Sequence, residues 1–419
     1  MLNDIYRHNA KQGRFLWVLA LSGISYGLYR GVQDNFLAEI VHISKFERGI
    51  VEFFREIPGL LVILILAAMY RFAESRIFKI GTAIMLAGIL GLLFGPAGPG
   101  FSAKFSVILF MVIFSAGEHI IMPVKSTISM DLAEPSQGGA SLGLTNALDQ
   151  LGRITGYVAV TFLFFIFGRI RFSGTPRYRI VFAAAAFLIL AAVFVSLTMH
   201  ETKLKGPRRR FYFHRKFFKF YMLEVFYGAR KQIFLTFAPY VLILQYGADT
   251  SVIALLYAIC SGAGFIVSPL LGKLIDRAGY KFVMVTDTLV LVIVCLFYGF
   301  SHRIFPERIA YLVVCINFVL DSIISLASMA SNVYVKDIAS SQEELTATLS
   351  TGISVNHLIS IAIALLGGWI WERTGIEVLF SLSAFLGIMN SVYAATIKVG
   401  RGSGKATGTY RGITGGQDE

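Results

Sequence analysis

Long uninterrupted apolar runs dominate this chain, and no other feature restricts its fold as strongly. About 20 apolar residues in helical form cross the hydrocarbon core of a bilayer. Breaks at clusters of charge, glycine and proline leave twelve such runs, at 15–41, 47–70, 77–96, 104–130, 140–168, 179–199, 218–245, 250–272, 281–301, 308–335, 344–371 and 376–397. Open strands cannot satisfy their backbone in lipid, so each run is expected to be a helix. Several are longer than the core requires, which implies tilt or protrusion past the head groups. Composition agrees: 56% of the 419 residues are hydrophobic and only 15% charged, too few for the skin of a soluble protein. Disorder, collagen and a disulfide scaffold are excluded on the same ground. The expected class is an all-α integral membrane protein with twelve transmembrane helices.

A net charge of +13 raises the question of nucleic acid. The basic residues lie between the apolar runs, however, with no stripe interleaved with stacking aromatics. They are expected to set orientation and to meet anionic membrane lipids, not nucleic acid. With both termini inside, the inner segments carry more than twice as many basic residues as the outer loops. Cytoplasmic termini and residence in the plasma (inner) membrane are therefore expected. One outer loop, with Arg169, Arg171, Arg177 and Arg179, runs against the rule and offers an extracellular anion contact. The amino-terminal run carries Arg30 and Asp34, is too long for a signal-peptide core, and reads as a retained first helix. Cys260, Cys295 and Cys315 all lie in apolar runs, with neither a disulfide framework nor zinc-ligand spacing, so no metal and no cofactor are expected.

The chain also echoes itself at half length. Tyr26-Gly27-Leu28-Tyr29-Arg30 matches Tyr227-Gly228-Ala229-Arg230-Lys231, and Glu74-Ser75-Arg76 with Lys79 matches Asp276-Arg277 with Lys281. Asp131-Leu132-Ala133 matches Asp337-Ile338-Ala339, and Asn146 to Asp149 falls opposite Ile353 to Asn356. Four matches in order at nearly constant offset imply two six-helix, pseudo-symmetric halves in the same orientation. The expected division is a cytoplasmic segment 1–14, bundles at 15–200 and 218–397, a basic linker 201–217 held against lipid, and a flexible cytoplasmic tail 398–419.

Between the eighth and ninth runs stands Gly272-Lys-Leu-Ile-Asp276-Arg277-Ala-Gly279-Tyr-Lys281. This segment resembles the loop motif G-x-x-x-D-R-x-G-x-[KR] of the major facilitator superfamily, at the place of that family's second copy. The resemblance covers about residues 15–397. The first copy, Tyr70 to Lys79, lacks both glycines and has Glu74 for the aspartate. In the motif, small residues let helices approach, the aspartate caps a facing helix, and the basic residues hold the cytoplasmic edge. The resemblance implies a transporter with alternating access, its binding site near the membrane midplane between the halves, and helices 1, 4, 7 and 10 lining the cavity. The Gly-Pro antiporter signature is absent from Gly143 to Gly156, and Glu118-His119 stands where drug exporters have arginine and glutamine.

Ionisable residues inside a membrane are costly and mark function by default. Arg30 and Asp34 are four residues apart; Glu52, Arg55 and Glu56 leave one acid underpaired; Asp149 and Arg153 repeat the four-residue spacing. The candidate substrate or coupling residues are Arg30, Gln33, Asp34, Glu118, His119, Tyr227, Arg230, Lys231, Asn317 and Asp321, with Lys125 beside Glu118 and His119, and His357 a weaker candidate. Glu52, Arg55, Glu56, Asp149 and Arg153 serve equally well as ion pairs that lock helix to helix. Mixed charge favours a small polar, zwitterionic or anionic organic solute, moved by a monomer. Proton coupling is expected, with Asp34 the first carrier, Glu118 the second and Glu56 the third, because no cluster of oxygens suits sodium. A lipid, lysolipid or drug exporter of the same fold is the alternative. A membrane transferase would need an aspartate cluster that is not present. Gly400 to Lys405 follows the last helix, not a strand, so it is no nucleotide loop.

Overall fold

The computed structural model describes residues 10–69, 71–134, 137–199 and 213–397. The carboxyl tail with Gly400 to Lys405, most of the expected linker and the first nine residues lie outside that range. Thirteen α-helices follow in order: α1 Ala10–Asn35, α2 Lys45–Ala68, α3 Glu74–Phe94, α4 Phe101–Leu132, α5 Gly138–Arg169, α6 Thr175–Leu197, α7 Phe218–Tyr246, α8 Thr250–Ala278, α9 Tyr280–Ile304, α10 Glu307–Ile324, α11 Met329–Ile338, α12 Gln342–Thr374 and α13 Ile376–Ala395. Among the described residues ten spans are long and apolar enough to cross a membrane, with α10 and α11 forming one of them. Helices α2 and α7 are as long as their neighbours, but charges inside them lower their apolarity. The expected count of twelve is compatible with these helices but is not matched one for one: thirteen α-helices are described, and ten spans are apolar enough by themselves.

Local chemistry sets the ends. Ser44 and Glu47 form a reciprocal capping box that starts α2, and Asp249 caps α8 through Val252 N–H. Gly247, Gly279 and Gly375 end α7, α8 and α12 at φ of 68°, 85° and 95°, values that side chains with a Cβ resist. The run 308–335, expected as one helix, breaks at a 3₁₀ turn over Ser325–Ser328. There Ser328 and Ser331 donate to carbonyls three residues back, and Tyr227 Oη donates to Ser325 O at 2.9 Å. Such serine back-bonding and a borrowed carbonyl disrupt the regular ladder.

Within the first half α1 packs on α5 and α6, and α3 packs on α4 and α6; within the second, α7 packs on α12 and α13, and α9 on α13 and α10. Glycines permit the closest approach. A Cβ on Gly27 would lie 2.9 Å from Gly156 Cα, and one on Gly156 would lie 2.6 Å from Leu28 N. The half-length repeat is visible in the way each half ends. Arg14 and Lys79 donate to the carbonyls of Thr198 and Met199 after α6; Lys219 and Lys281 donate to those of Thr396 and Ile397 after α13. Cations at helix carboxyl ends satisfy orphan carbonyls and oppose the dipole.

The halves meet along two seams, α2 against α12 and α5 against α8. At the end away from the chain termini the seam is tied by Asn35 Nδ2 to Ala248 O at 3.0 Å, Tyr240 Oη to Ile43 O at 3.1 Å, and Lys45 over the Trp371 ring at 5.6 Å. Gly49 and Gly368 touch there backbone to backbone, a Cβ on Gly368 lying 3.0 Å from Phe46 O. This far end is shut.

Candidate functional site

Beneath the closed end runs a ladder of buried charge. Arg30 donates to Asp34 at 2.9 Å; Arg48 donates to Asp34 at 3.2 Å and to Glu52 at 2.9 Å. Arg55 donates through Nε to Glu52 at 3.0 Å and pairs with Glu56, which meets His357 Nδ1 at 2.8 Å. Three arginines alternate with three carboxylates, so the ladder is neutral and no rung is an isolated ion in a dry interior. It draws on both halves: Tyr257 Oη on α8 donates to Asp34 at 2.7 Å, and Gln232 Nε2 on α7 donates to Glu52 at 3.3 Å. Burial is extreme, with Arg48 0% and Asp34 1% exposed.

Between α1 and α5 on one side and α7, α8 and α10 on the other lies a cavity of about 330 Å³. Tyr26, Tyr157, Tyr257, Phe234 and Phe318 give it aromatic walls, and Gln150 and Ser261 add polar groups. Arg30, Lys231 and Asp321 bring charge to its lining. Arg30 is already matched by Asp34, and Asp321 is held by Arg230 at 3.2 Å. Among the described residues Lys231 forms no direct ion pair; it stands 6.0 Å from the Tyr227 ring, and the Glu224 carboxylate on the same helix feels its charge at longer range. Lys231 is therefore the one charged group of this lining without a direct ion pair among the described residues. Arg230 Nη2, buried beside it, also lacks a hydrogen-bond partner among the described residues. Arg30 and Lys231 occupy equivalent places in the half-length repeat, and they face one cavity from opposite halves.

A second cluster lies within the first half. Asp149 takes Lys125 at 3.1 Å and Arg153 at 3.3 Å, with Glu118 at 3.9 Å from Arg153. The Arg153 guanidinium lies 3.7 Å over the Tyr26 ring, which lines the cavity. Other candidates fall elsewhere. Asn317 Nδ2 bonds back to Val313 O within its own helix, Gln33 is buried outside the cavity lining, and Tyr227 binds the 3₁₀ turn. His119 joins Glu56 and His357, whose ligand-type atoms lie within 4.8 Å of one another.

The loop motif behaves differently from its expected role. A Cβ on Gly272 or Gly279 would meet no atom within 4 Å, so neither permits a close helix approach here. Gly279 instead supplies positive φ at the end of α8, while Asp276 and Arg277 are exposed and Lys281 holds Ile397 O at 2.9 Å. Among the described residues Asp276 caps no facing helix.

Sequence reasoning passed over Arg48, Gln232 and Tyr257. Arg48 lies one helical turn before Glu52, which is the available signal, but it borders a loop and reads as one of the loop cations. Tyr257 and Gln232 carried no signal, since each meets its partner across the two halves.

The family description Major Facilitator Superfamily matches residues 15–341 and, in a second match, 220–409. Comparison with curated protein sequences gives no match. Among solved structures, the nucleoside transporter NupG is similar at a TM-score of 0.72 and 12% identity, covering 92% of this chain and 98% of that one. A D-xylose-proton symporter is similar at 0.69 and 15% identity, over 92% and 98% of the two chains. A POT family transporter in complex with 5-aminolevulinic acid follows at 0.71 and 11% identity, over 91% and 94%. At these identities the likeness is one of fold.

Proposed function

The chain belongs to the major facilitator superfamily, and from that premise we propose that it is a secondary active transporter of a small anionic or zwitterionic organic solute, driven by protons. It is a multi-pass membrane transporter by family; the solute, the coupling and the orientation are the proposal. The observation that carries the solute class is Lys231, the one charged group of the cavity lining that forms no direct ion pair among the described residues. A carboxylate or phosphate on the solute neutralises it. Aromatic walls accept an apolar or ring-bearing body, and Asp321 receives an ammonium or a proton. Solved structures of similar fold include a nucleoside transporter, a D-xylose-proton symporter and a peptide transporter, which supports a small polar solute as the cargo.

A proton reaches a carboxylate through the cavity. Asp321 lines that cavity with Arg230 as its single hydrogen-bonded cation, whereas Asp34 is enclosed behind Arg30 and accepts from three donors. Asp321 is thus the proposed carrier, with Asp34 anchoring the closed end. The bundles 15–200 and 218–397 are proposed to move as two units of a monomer in the plasma (inner) membrane, both termini cytoplasmic, with the basic linker 201–217 on anionic lipid. The closed end then faces outward.

Purified protein screened by thermal shift against carboxylates, zwitterions, nucleosides and sugars tests the solute class, because a ligand of the native state raises its stability. Stabilisation by an anionic or zwitterionic group is expected, lost in Lys231→Met. Stabilisation by neutral sugars that survives Lys231→Met defeats that reading. In liposomes with an imposed pH gradient, Asp321→Asn is expected to abolish accumulation while retaining solute exchange. Accumulation that ignores the pH gradient in the parent protein removes proton coupling.

A further inference from the structure

The geometry points to a binding site for a divalent transition-metal ion of the zinc class, formed by Glu56 on α2, His119 on α4 and His357 on α12, at the seam between the halves. This goes beyond the transport reading and depends on no particular solute. The three residues lie far apart in sequence, which is why spacing alone predicts no metal.

Three features support the site. First, the ligand-type atoms of the three side chains lie within 4.8 Å of one another, and Glu56 and His119 are buried. Bonds of about 2.0–2.2 Å place tetrahedral ligands about 3.3–3.5 Å apart, so small side-chain rotations close the set on an ion. Second, His119 is oriented from behind. Its Nδ1 donates to Ser115 O at 2.8 Å, which fixes the tautomer and leaves the Nε2 lone pair free to ligate. This is the carbonyl-backed arrangement that metal-binding histidines use. Third, the space between the rings is kept clear by a glycine. A Cβ on Gly59 would lie 2.7 Å from His119 Nε2 and 2.7 Å from His357 Cε1. The rings stand edge to face, their centroids 5.0 Å apart.

Two imidazoles and one carboxylate are borderline ligands suited to zinc or cobalt, and unsuited to magnesium or calcium, which take oxygen. The ion displaces the hydrogen bond between Glu56 and His357, and its fourth position is left to water. Because Glu56 and His119 belong to the first half and His357 to the second, the bound ion fastens the seam and holds the far end shut.

The test uses full-length protein without a histidine tag, stripped with chelator. Cobalt chloride is expected to give visible bands of tetrahedral Co²⁺ at one ion per chain, displaced by zinc chloride. Zinc should raise the melting temperature progressively with concentration, and magnesium should not. His119→Gln and His357→Gln should each lose bands and shift, while His302→Gln, whose imidazole pairs with Glu377, keeps both. Gly59→Ala retains all three ligands but fills the gap between the rings, so it should also lose cobalt even if a histidine variant fails to fold. Absence of a zinc-specific shift in the parent protein overturns the site. So does cobalt binding that persists in Gly59→Ala and in the histidine variants.

Discussion

Arg48→Met is expected to destabilise the folded protein by about 3–5 kcal/mol, the cost of breaking a buried ion pair and leaving its partners uncompensated. Arg48 is fully enclosed and joins Asp34 to Glu52. Asp34 keeps Arg30, and Glu52 keeps Arg55, but the ladder then holds three carboxylates against two arginines. One negative charge stays in a dry interior, facing the Tyr240 ring that the guanidinium now covers at 5.6 Å. Arg48→Lys retains the charge yet cannot span both carboxylates, so it should fall between the parent and Arg48→Met. Thermal unfolding in detergent checks this, and equal melting temperatures for all three proteins would contradict it.

The ladder also shows where reading the residues stops. Arg30 with Asp34, the trio Glu52, Arg55 and Glu56, and Asp149 with Arg153 were legible because helical spacing of three or four places side chains on one face. The apolar runs likewise reveal the helices, because only continuous helices satisfy the backbone in lipid. Contacts between halves were not legible. Tyr257 meets Asp34 across 223 residues and His357 meets Glu56 across 301, and no local pattern encodes such pairings. The break at Ser325–Ser328 was hidden for a related reason: it depends on Tyr227 reaching a carbonyl from another helix. The loop motif erred in the opposite sense, since its residues are present while Asp276 caps no described helix. That Lys231 is left without a direct ion pair is likewise a property of neighbours, because it depends on which other cations have found carboxylates.

Gly49→Leu should hold the far end open. Gly49 lies against the backbone of α12, where an added Cβ would overlap Ala364 O and come within 3.3 Å of Gly368 Cα. Backbone cannot move aside as a flexible side chain does, so the clash should reach about 3 kcal/mol, the upper range of overpacking, and shift the ratio of closed to open forms about a hundredfold. Solute exchange should fall accordingly, while the protein remains folded because each half keeps its own contacts. Full exchange activity in Gly49→Leu would show that this seam does not need to close.

Alternating access between two rocking halves is tested most directly by distances measured at both ends of the bundle in one membrane preparation. Spin labels at Lys45→Cys and Thr374→Cys report the far end across α2 and α12. Labels at Ala140→Cys and Lys273→Cys report the termini end across α5 and α8. As pH or solute is varied, the first separation is expected to grow when the second shrinks, with two discrete populations for each pair. Separations that stay fixed at both ends under every condition, or that widen and narrow together, would contradict it.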